Sequence, residues 1–313
     1  MRSLSVFQPL DAAIQHTRRI LLEPFKLSQW LRLGFCAFLM GSTQQWPLNL
    51  WGDQSNDSDS GEGISGVPYA EIQAWIQQHL ALIATLVIIL ILLLIVLGLL
   101  FTWLSSRGRF MLLDGVIHNR GAIVMPWRQY RREANSLFRI RVYLGLVAVV
   151  VLAVILSVGL FGFAVLREAI FTDGILPGRA MIIMGLSALL LTGWSLFLWV
   201  VNVLLMDFVV PVMYQRRMQA LPAWNHVVKP LLKERLGSMA LYLTVKFALE
   251  GVISVVALLA VILTCCIAAV PYVGSVILLP LTIFQLTYPL AFLEQLGADW
   301  RFFPPDRQAL PPG

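Results

Sequence analysis

Long apolar runs alternate with short polar ones along the whole chain. The clearest run, LALIATLVIILILLLIVLGLLFTWL at 80–104, contains no charge. Five others lie at 27–46, 142–166, 180–206, 238–267 and 273–293. An apolar stretch of about 18 or more residues reads as a membrane-spanning helix, because ~20 residues rising ~1.5 Å each cover a hydrocarbon core of ~30 Å. The pattern predicts six spans. The first, LSQWLRLGFCAFLMGSTQQW, is the least regular, being interrupted by Arg32, Gln29, Gln44 and Gln45.

A second pattern lies between the runs. In PWRQYRREANSLFRIR, 126–141, a helix starting at Pro126 places Trp127, Tyr130, Ala134, Leu137 and Phe138 on one stripe. Arg128, Arg131, Arg132, Glu133 and Asn135 fall off it, so the segment is amphipathic. Proline suits a first helical position, where its missing N–H would have no partner. The same device recurs from Pro9, with Leu10, Ala13, Ile14, Thr17, Ile20 and Leu21 on one face and Arg18 and Arg19 off it. It recurs again from Pro222, with Trp224, Val227, Val228, Leu231 and Leu232 on one face and Lys229 and Lys233 opposite. Pro230 is expected to bend or split that helix.

These recurrences divide the chain into three units of amphipathic helix, outgoing span, outer connection and returning span. The units are 1–104, 105–206 and 207–296, followed by a tail at 297–313. The expected fold is all-α: one polytopic transmembrane bundle of six helices built from three pseudo-repeats. Acidic residues Asp114, Asp207 and Glu294 follow the second, fourth and sixth spans at their inner ends.

Composition agrees with a membrane chain. Of 313 residues, 58% are hydrophobic and 13% charged, about half the charge of a soluble domain. Lys and Arg orient it. Segment 105–141 carries eight arginines, whereas 47–79 carries none and has Asp53, Asp57, Asp59, Glu62 and Glu71. The alternation predicts cytoplasmic N- and C-termini, with GDQSNDSDSGEGISG, 52–66, as a flexible acidic loop outside. Its acids lack the spacing of an EF-hand. The N-terminus has no apolar core of a cleaved signal. Cys36, Cys265 and Cys266 lie in apolar runs and read as small packing residues.

Polar residues inside the runs are the main functional signal. In LYLTVKFALEG, Lys246 lies about 12 Å and Glu250 about 18 Å into the fifth span, counted from Ser238 at ~1.5 Å per residue. Four residues apart, they share a helix face. A charge at that depth costs ~3 kcal/mol or more and faces the bundle interior. The pair has two readings: a substrate, ion or proton site, or a buried contact that fixes helix packing. Asp207, Asn202, Arg32 and Glu294 are the candidates to join it. Pro280 and Pro289 should kink the sixth span, while Pro211 and Pro271 fit span ends.

Catalytic motifs are absent. His16, His79, His118 and His226 are dispersed, and there is no P-loop, G-x-S-x-G or Cys-x-x-Cys. The sequence predicts a non-enzymatic protein with no cofactor and no metal. Amphipathic helices with basic and aromatic faces lie at membrane interfaces, where anionic lipids attract each Lys or Arg by ~1 kcal/mol. The candidate lipid or partner contacts are Arg18, Arg19, Trp127, Arg128, Arg131, Arg132, Trp224, Lys229 and Lys233. No nucleic-acid motif is present.

The segments PFKLSQWLRLGFCAFLMG and DFVVPVMYQRR…AWNHVVKPLL resemble those of uncharacterised bacterial six-span inner-membrane proteins. They are also similar to the membrane domain that precedes the catalytic barrel in some bacterial glycerophosphodiester phosphodiesterases. That barrel is absent here, so the resemblance implies a bacterial inner membrane and no activity. The expected role is a scaffold or accessory subunit engaging anionic lipid or a partner protein. The alternative is a small transporter or permease working through Lys246 and Glu250.

Overall fold

A computed structural model describes residues 8–22, 27–41, 75, 77–119, 121, 123–173, 178–234, 236–264, 270–295 and 300–303. All regular structure among them is helical. In chain order the helices are α1 (Gln8–Leu22), α2 (Leu27–Gly41), α3 (Leu80–Ile117), α4 (Val124–Gln129), α5 (Arg131–Asp173), α6 (Gly178–Val203), a π-helix (Leu204–Val209), α7 (Val210–Arg216), α8 (Ala220–Glu234), α9 (Leu236–Leu263), α10 (Pro271–Ile277) and α11 (Leu279–Glu294).

Four helices are long and apolar enough to cross a membrane: Leu80–Ile117, Arg131–Arg167, Met181–Arg216 and Leu236–Leu263. With 38 residues, α3 is about 57 Å long, nearly twice the ~30 Å hydrocarbon core, and tilt cannot absorb that excess. Its two halves have different surroundings. Ile88, Ile89, Leu90 and Ile91 are each more than half exposed, and four consecutive residues go once round the helix, so the whole circumference is apolar and open, a surface suited to lipid rather than water. From Ser105 to Val116 nearly every residue is buried. The switch recurs in Met181–Arg216, where Leu186, Leu189 and Phe197 are exposed and Leu204 to Tyr214 are buried.

The packed core therefore sits at one end of the bundle, at the C-terminal ends of α3 and α7 and the N-terminal ends of α5 and α9. There α3 packs on α2 and α5, the π-helix on α8 and α11, and α1 on α11. Phe208, Tyr242, Tyr288 and Phe292 form its aromatic centre, with ring centroids 4.7–6.0 Å apart in successive pairs. Gly108 permits the α2–α3 approach. A Cβ there would meet Met40 N at 2.8 Å, and one turn away Ser105 Oγ donates to Met40 O at 2.6 Å.

All three amphipathic segments are helical, but their apolar stripes face this core. Ala13, Ile20 and Leu21 of α1, Tyr130, Ala134 and Leu137 around the start of α5, and Val227, Val228 and Leu231 of α8 are all buried. A stripe of this kind asks only for something apolar, and here the protein itself covers it. Glu133, read as lying off the stripe, is also buried. The second segment breaks at Tyr130, between α4 and α5, and α8 continues through Pro230 without splitting. The Ala220 N–H at the start of α8 donates to Ser136 Oγ at 3.1 Å, tying α8 to α5. The chain leaves α3 and α7 through left-handed residues, Asn119 (φ 48°) and Arg217 (φ 53°).

The prediction of six long spans holds for four. α2 has 15 residues, about 22 Å. The expected sixth span breaks at Leu278 (φ −86°, ψ 7°) into α10 and α11, because Pro280 starts a helix more readily than it continues one. α10 folds onto α2, with Trp30 Nε1 donating to Val276 O at 3.0 Å and Tyr272 Oη to Leu31 O at 3.3 Å. Readings of the acidic segment 52–66, of Cys265 and Cys266 and of the extreme tail fall outside the described residues.

Candidate functional site

Asp207 is central. It lies in the π-helix, where one extra residue per turn re-aims side chains and often marks a functional position. It is 3% exposed, so an unpaired carboxylate there would be very costly. Three donors surround it. Tyr242 Oη donates to Oδ2 at 2.9 Å, Lys246 Nζ lies 2.9 Å from the same oxygen, and Arg109 Nη2 is 3.8 Å from Oδ1. Arg109 Nη2 also donates to Met206 O at 3.3 Å, while its buried Nε has no partner.

α9 presents this chemistry as a ladder, because residues four apart lie one above another. Tyr242 and Lys246 meet Asp207, and one turn further Glu250 accepts from Trp199 Nε1 at 2.8 Å. The buried residues of α9 are Met239, Tyr242 and Lys246. Polar contacts thus do much of the work of holding α9 to α6 and the π-helix.

A polar cavity of about 170 Å³ lies between these elements. Arg109, Asp207, Lys246 and Glu250 line it with Asn202, Thr282, Gln285 and Trp199, and Met40, Val203, Met206 and Leu286 complete the wall. Its level is where the exposed halves of the long helices give way to the packed core. A larger groove of about 460 Å³ between α5 and α6, lined by Val149, Leu152, Leu191 and Trp194 among others, holds no charged group and lies among the exposed apolar halves of those helices.

The structure brings together most of the residues expected here, with different pairings. Lys246 pairs with Asp207 rather than Glu250. Asn202 lines the cavity. Arg32 does not join: it is exposed, with its side chain against Gly121. Glu294 does not join either, because Oε1 accepts the Phe302 and Phe303 N–H groups at 3.0 and 3.1 Å. Three participants were not anticipated. Arg109 was one of eight arginines in a basic segment, and Tyr242 and Trp199 look like ordinary span aromatics.

A second buried carboxylate, Asp114, is 1% exposed. Tyr214 Oη donates to its Oδ1 at 2.9 Å, Tyr130 Oη approaches at 3.5 Å, and His118 Nδ1 lies 3.3 Å away. Tyr130 and Tyr214 stack with centroids 4.7 Å apart, and the Arg217 guanidinium sits 4.0 Å over the Tyr130 ring. Burial pushes the Tyr130 phenol above its ordinary value.

The expected lipid or partner contacts divide by type. Arg18, Arg19, Arg128, Arg131, Arg132, Lys229 and Lys233 are exposed. Trp127 instead packs edge-on against Trp103 at 5.8 Å, with the Arg107 guanidinium 4.3 and 4.8 Å from the two rings. Trp224 is half-buried against the core. Among the described residues no group of three or more His, Cys, Asp or Glu side chains is placed to hold a metal ion.

Fold and site together define an all-α protein with four helices long and apolar enough to cross a membrane and a charged cavity beside their packed ends. The chain belongs to the family described as "Family of unknown function (DUF7544)", which matches residues 4–298. No match was found among the curated proteins or the solved structures.

Proposed function

We propose that this chain is a multi-pass protein of the bacterial cytoplasmic membrane that binds a small polar ligand between α6, α9 and α11, as a small transporter or permease does. One observation carries the reading. Lys246 opens on a polar cavity that also holds Arg109, Asp207 and Glu250. A contact serving only to fix packing would be sealed, since each charge exposed to an apolar bundle is expensive. The π-helix lines the cavity at Asp207, and α11, which begins after the break at Leu278, lines it through Thr282 and Gln285; interrupted helices at binding sites are a feature of transporters. The catalytic motifs sought in the sequence are missing, and the reading is non-enzymatic.

Connectivity supports six passages through the membrane. The inner ends of α3, α5, α7 and α9 gather at the packed core, as do α1 and α11. Leu80 and Leu263 lie at the opposite ends of their helices. Six passages, as the apolar pattern predicts, would account for α1 and α11 lying on the same side of the bundle. With the basic segments inside, both termini are cytoplasmic.

The test is to purify the chain from its native membrane and identify bound small molecules by mass spectrometry. Wild type should carry one that Lys246→Met loses. Equal ligand content in both, or none in either, would contradict the reading.

A second reading rests on a different observation. The apolar stripes of α1, α5 and α8 are buried, while Arg128, Arg131, Arg132, Lys229 and Lys233 face outward. A basic collar of this kind suits a scaffold that engages anionic lipid or an acidic partner protein. Replacing Arg128, Arg131 and Arg132 by Glu should reduce co-sedimentation with anionic vesicles, and undiminished binding would remove this role.

A further inference from the structure

The charges around the cavity are unevenly satisfied, and that unevenness names a ligand class. Asp207 is well supplied: its Oδ2 takes both Lys246 and Tyr242 at 2.9 Å. Arg109 stands off at 3.8 Å and keeps a buried Nε without a partner. Counting Arg109, Lys246 and Asp207 together, this pole of the cavity carries one net positive charge. One turn outward on α9, about 6 Å in rise, Glu250 forms no ion pair among the described residues. The side-chain donor it accepts from is the Trp199 indole. The wall thus has a positive pole, where Arg109 and Lys246 outnumber Asp207, and a negative pole with spare carboxylate capacity. The amides of Asn202 and Gln285 lie on the same wall.

Resting on the binding reading above, we infer that the cavity takes a small zwitterion: a primary ammonium held by Glu250 and an oxyanion, phosphate or carboxylate, held by Arg109. A simple anion would meet Glu250 and a simple cation would meet Arg109 and Lys246, so either leaves one pole opposed. A zwitterion answers both, and charge-assisted hydrogen bonds to each end would fix its direction. At about 170 Å³ the space falls below the ~300 Å³ at which pockets for drug-sized ligands begin. It suits a headgroup or an amino-acid-sized molecule. Two sources share this chemistry: an amino-phosphate lipid headgroup of the inner leaflet, and a free zwitterionic solute.

The full chain in detergent, examined by native mass spectrometry, separates these outcomes. The lipid probes are phosphatidylethanolamine and phosphatidylglycerol, and the free probes are O-phosphoethanolamine, glycine and inorganic phosphate. Wild type should retain an ammonium-bearing probe over its ammonium-free counterpart by about tenfold, the value of one charge-assisted contact. Glu250→Gln keeps an acceptor for Trp199 and should erase that preference without lowering the melting temperature. Arg109→Gln should weaken retention of both probe types. Preference among the lipids places the ligand in the membrane, and preference confined to the free probes makes it a solute; both support the inference. Equal retention of ammonium-bearing and ammonium-free probes by wild type would overturn it, as would a preference that survives in Glu250→Gln. Anion retention that depends on Lys246 and ignores Glu250 would also overturn it while leaving the binding reading intact. Retention of no probe by wild type would contradict the zwitterion, and the ligand content of native material would then decide the binding reading separately.

Discussion

Asp114 and Asp207 are both buried carboxylates near the packed end of a long helix, and their settings differ in kind. Asp114 is held by phenols and an imidazole, within a stacked pair of tyrosines. Asp207 sits in a π-helix between Lys246 and Arg109, and its other side is cavity. The first arrangement locks α3, α7 and the α4–α5 turn together. The second concentrates opposite charges where a ligand can reach them. Burial alone does not distinguish the two acids. The local helix geometry and the open volume do.

That contrast can be tested by substitution, with melting in detergent as the readout. The largest effect is expected at Lys246. Lys246→Met leaves Asp207 with Tyr242 and a distant Arg109, and breaking a buried pair in this way costs ~3–5 kcal/mol. Adding Asp207→Asn should restore more than half of it, because the stranded charge is then gone. Failure of that rescue would mean the two groups are not coupled.

Asp114→Asn should cost less, about 1–3 kcal/mol, because Tyr214 and Tyr130 approach it through hydroxyls and the amide retains an acceptor for them. A loss as large as that of Lys246→Met would erase the distinction between the two acids. Tyr214→Phe removes one hydrogen bond at 2.9 Å and should cost about 1 kcal/mol. Glu250→Gln should change stability least, within about 0.5 kcal/mol, since its partner is one indole N–H at a half-buried position. Its effect belongs to ligand retention.

How much of this was visible in the residues differs between the fold and the site. The four long helices were plain, because an apolar run declares its period and length without tertiary context. The depth of Lys246 and the presence of Asp207 and Asn202 near it were also readable. The pairing was not. Lys246 and Glu250 share a face of one helix, and nothing in their spacing shows that Asp207, on another element, takes the first and Trp199 the second. Arg109 was hidden among its basic neighbours, since a positive charge near a span end is expected on the cytoplasmic side. The π-helix has no compositional mark of its own. The amphipathic segments were located correctly, but a stripe such as Tyr130, Ala134 and Leu137 looks the same whether lipid or protein will cover it. Pro280 was read as a kink, and the structure uses it as the start of a separate helix.

The account depends on Lys246 and Asp207 bordering open space that the inner side of the membrane can reach. Asn202, an exposed residue on that wall, reports on it directly. In a chain with Cys36, Cys265 and Cys266 replaced by Ser, Asn202→Cys should react with a membrane-impermeant maleimide in inside-out vesicles. It should remain unreacted in right-side-out ones. A cysteine that is inert in both, yet reacts once the protein is denatured, would show that the cavity is closed and would contradict the proposed function.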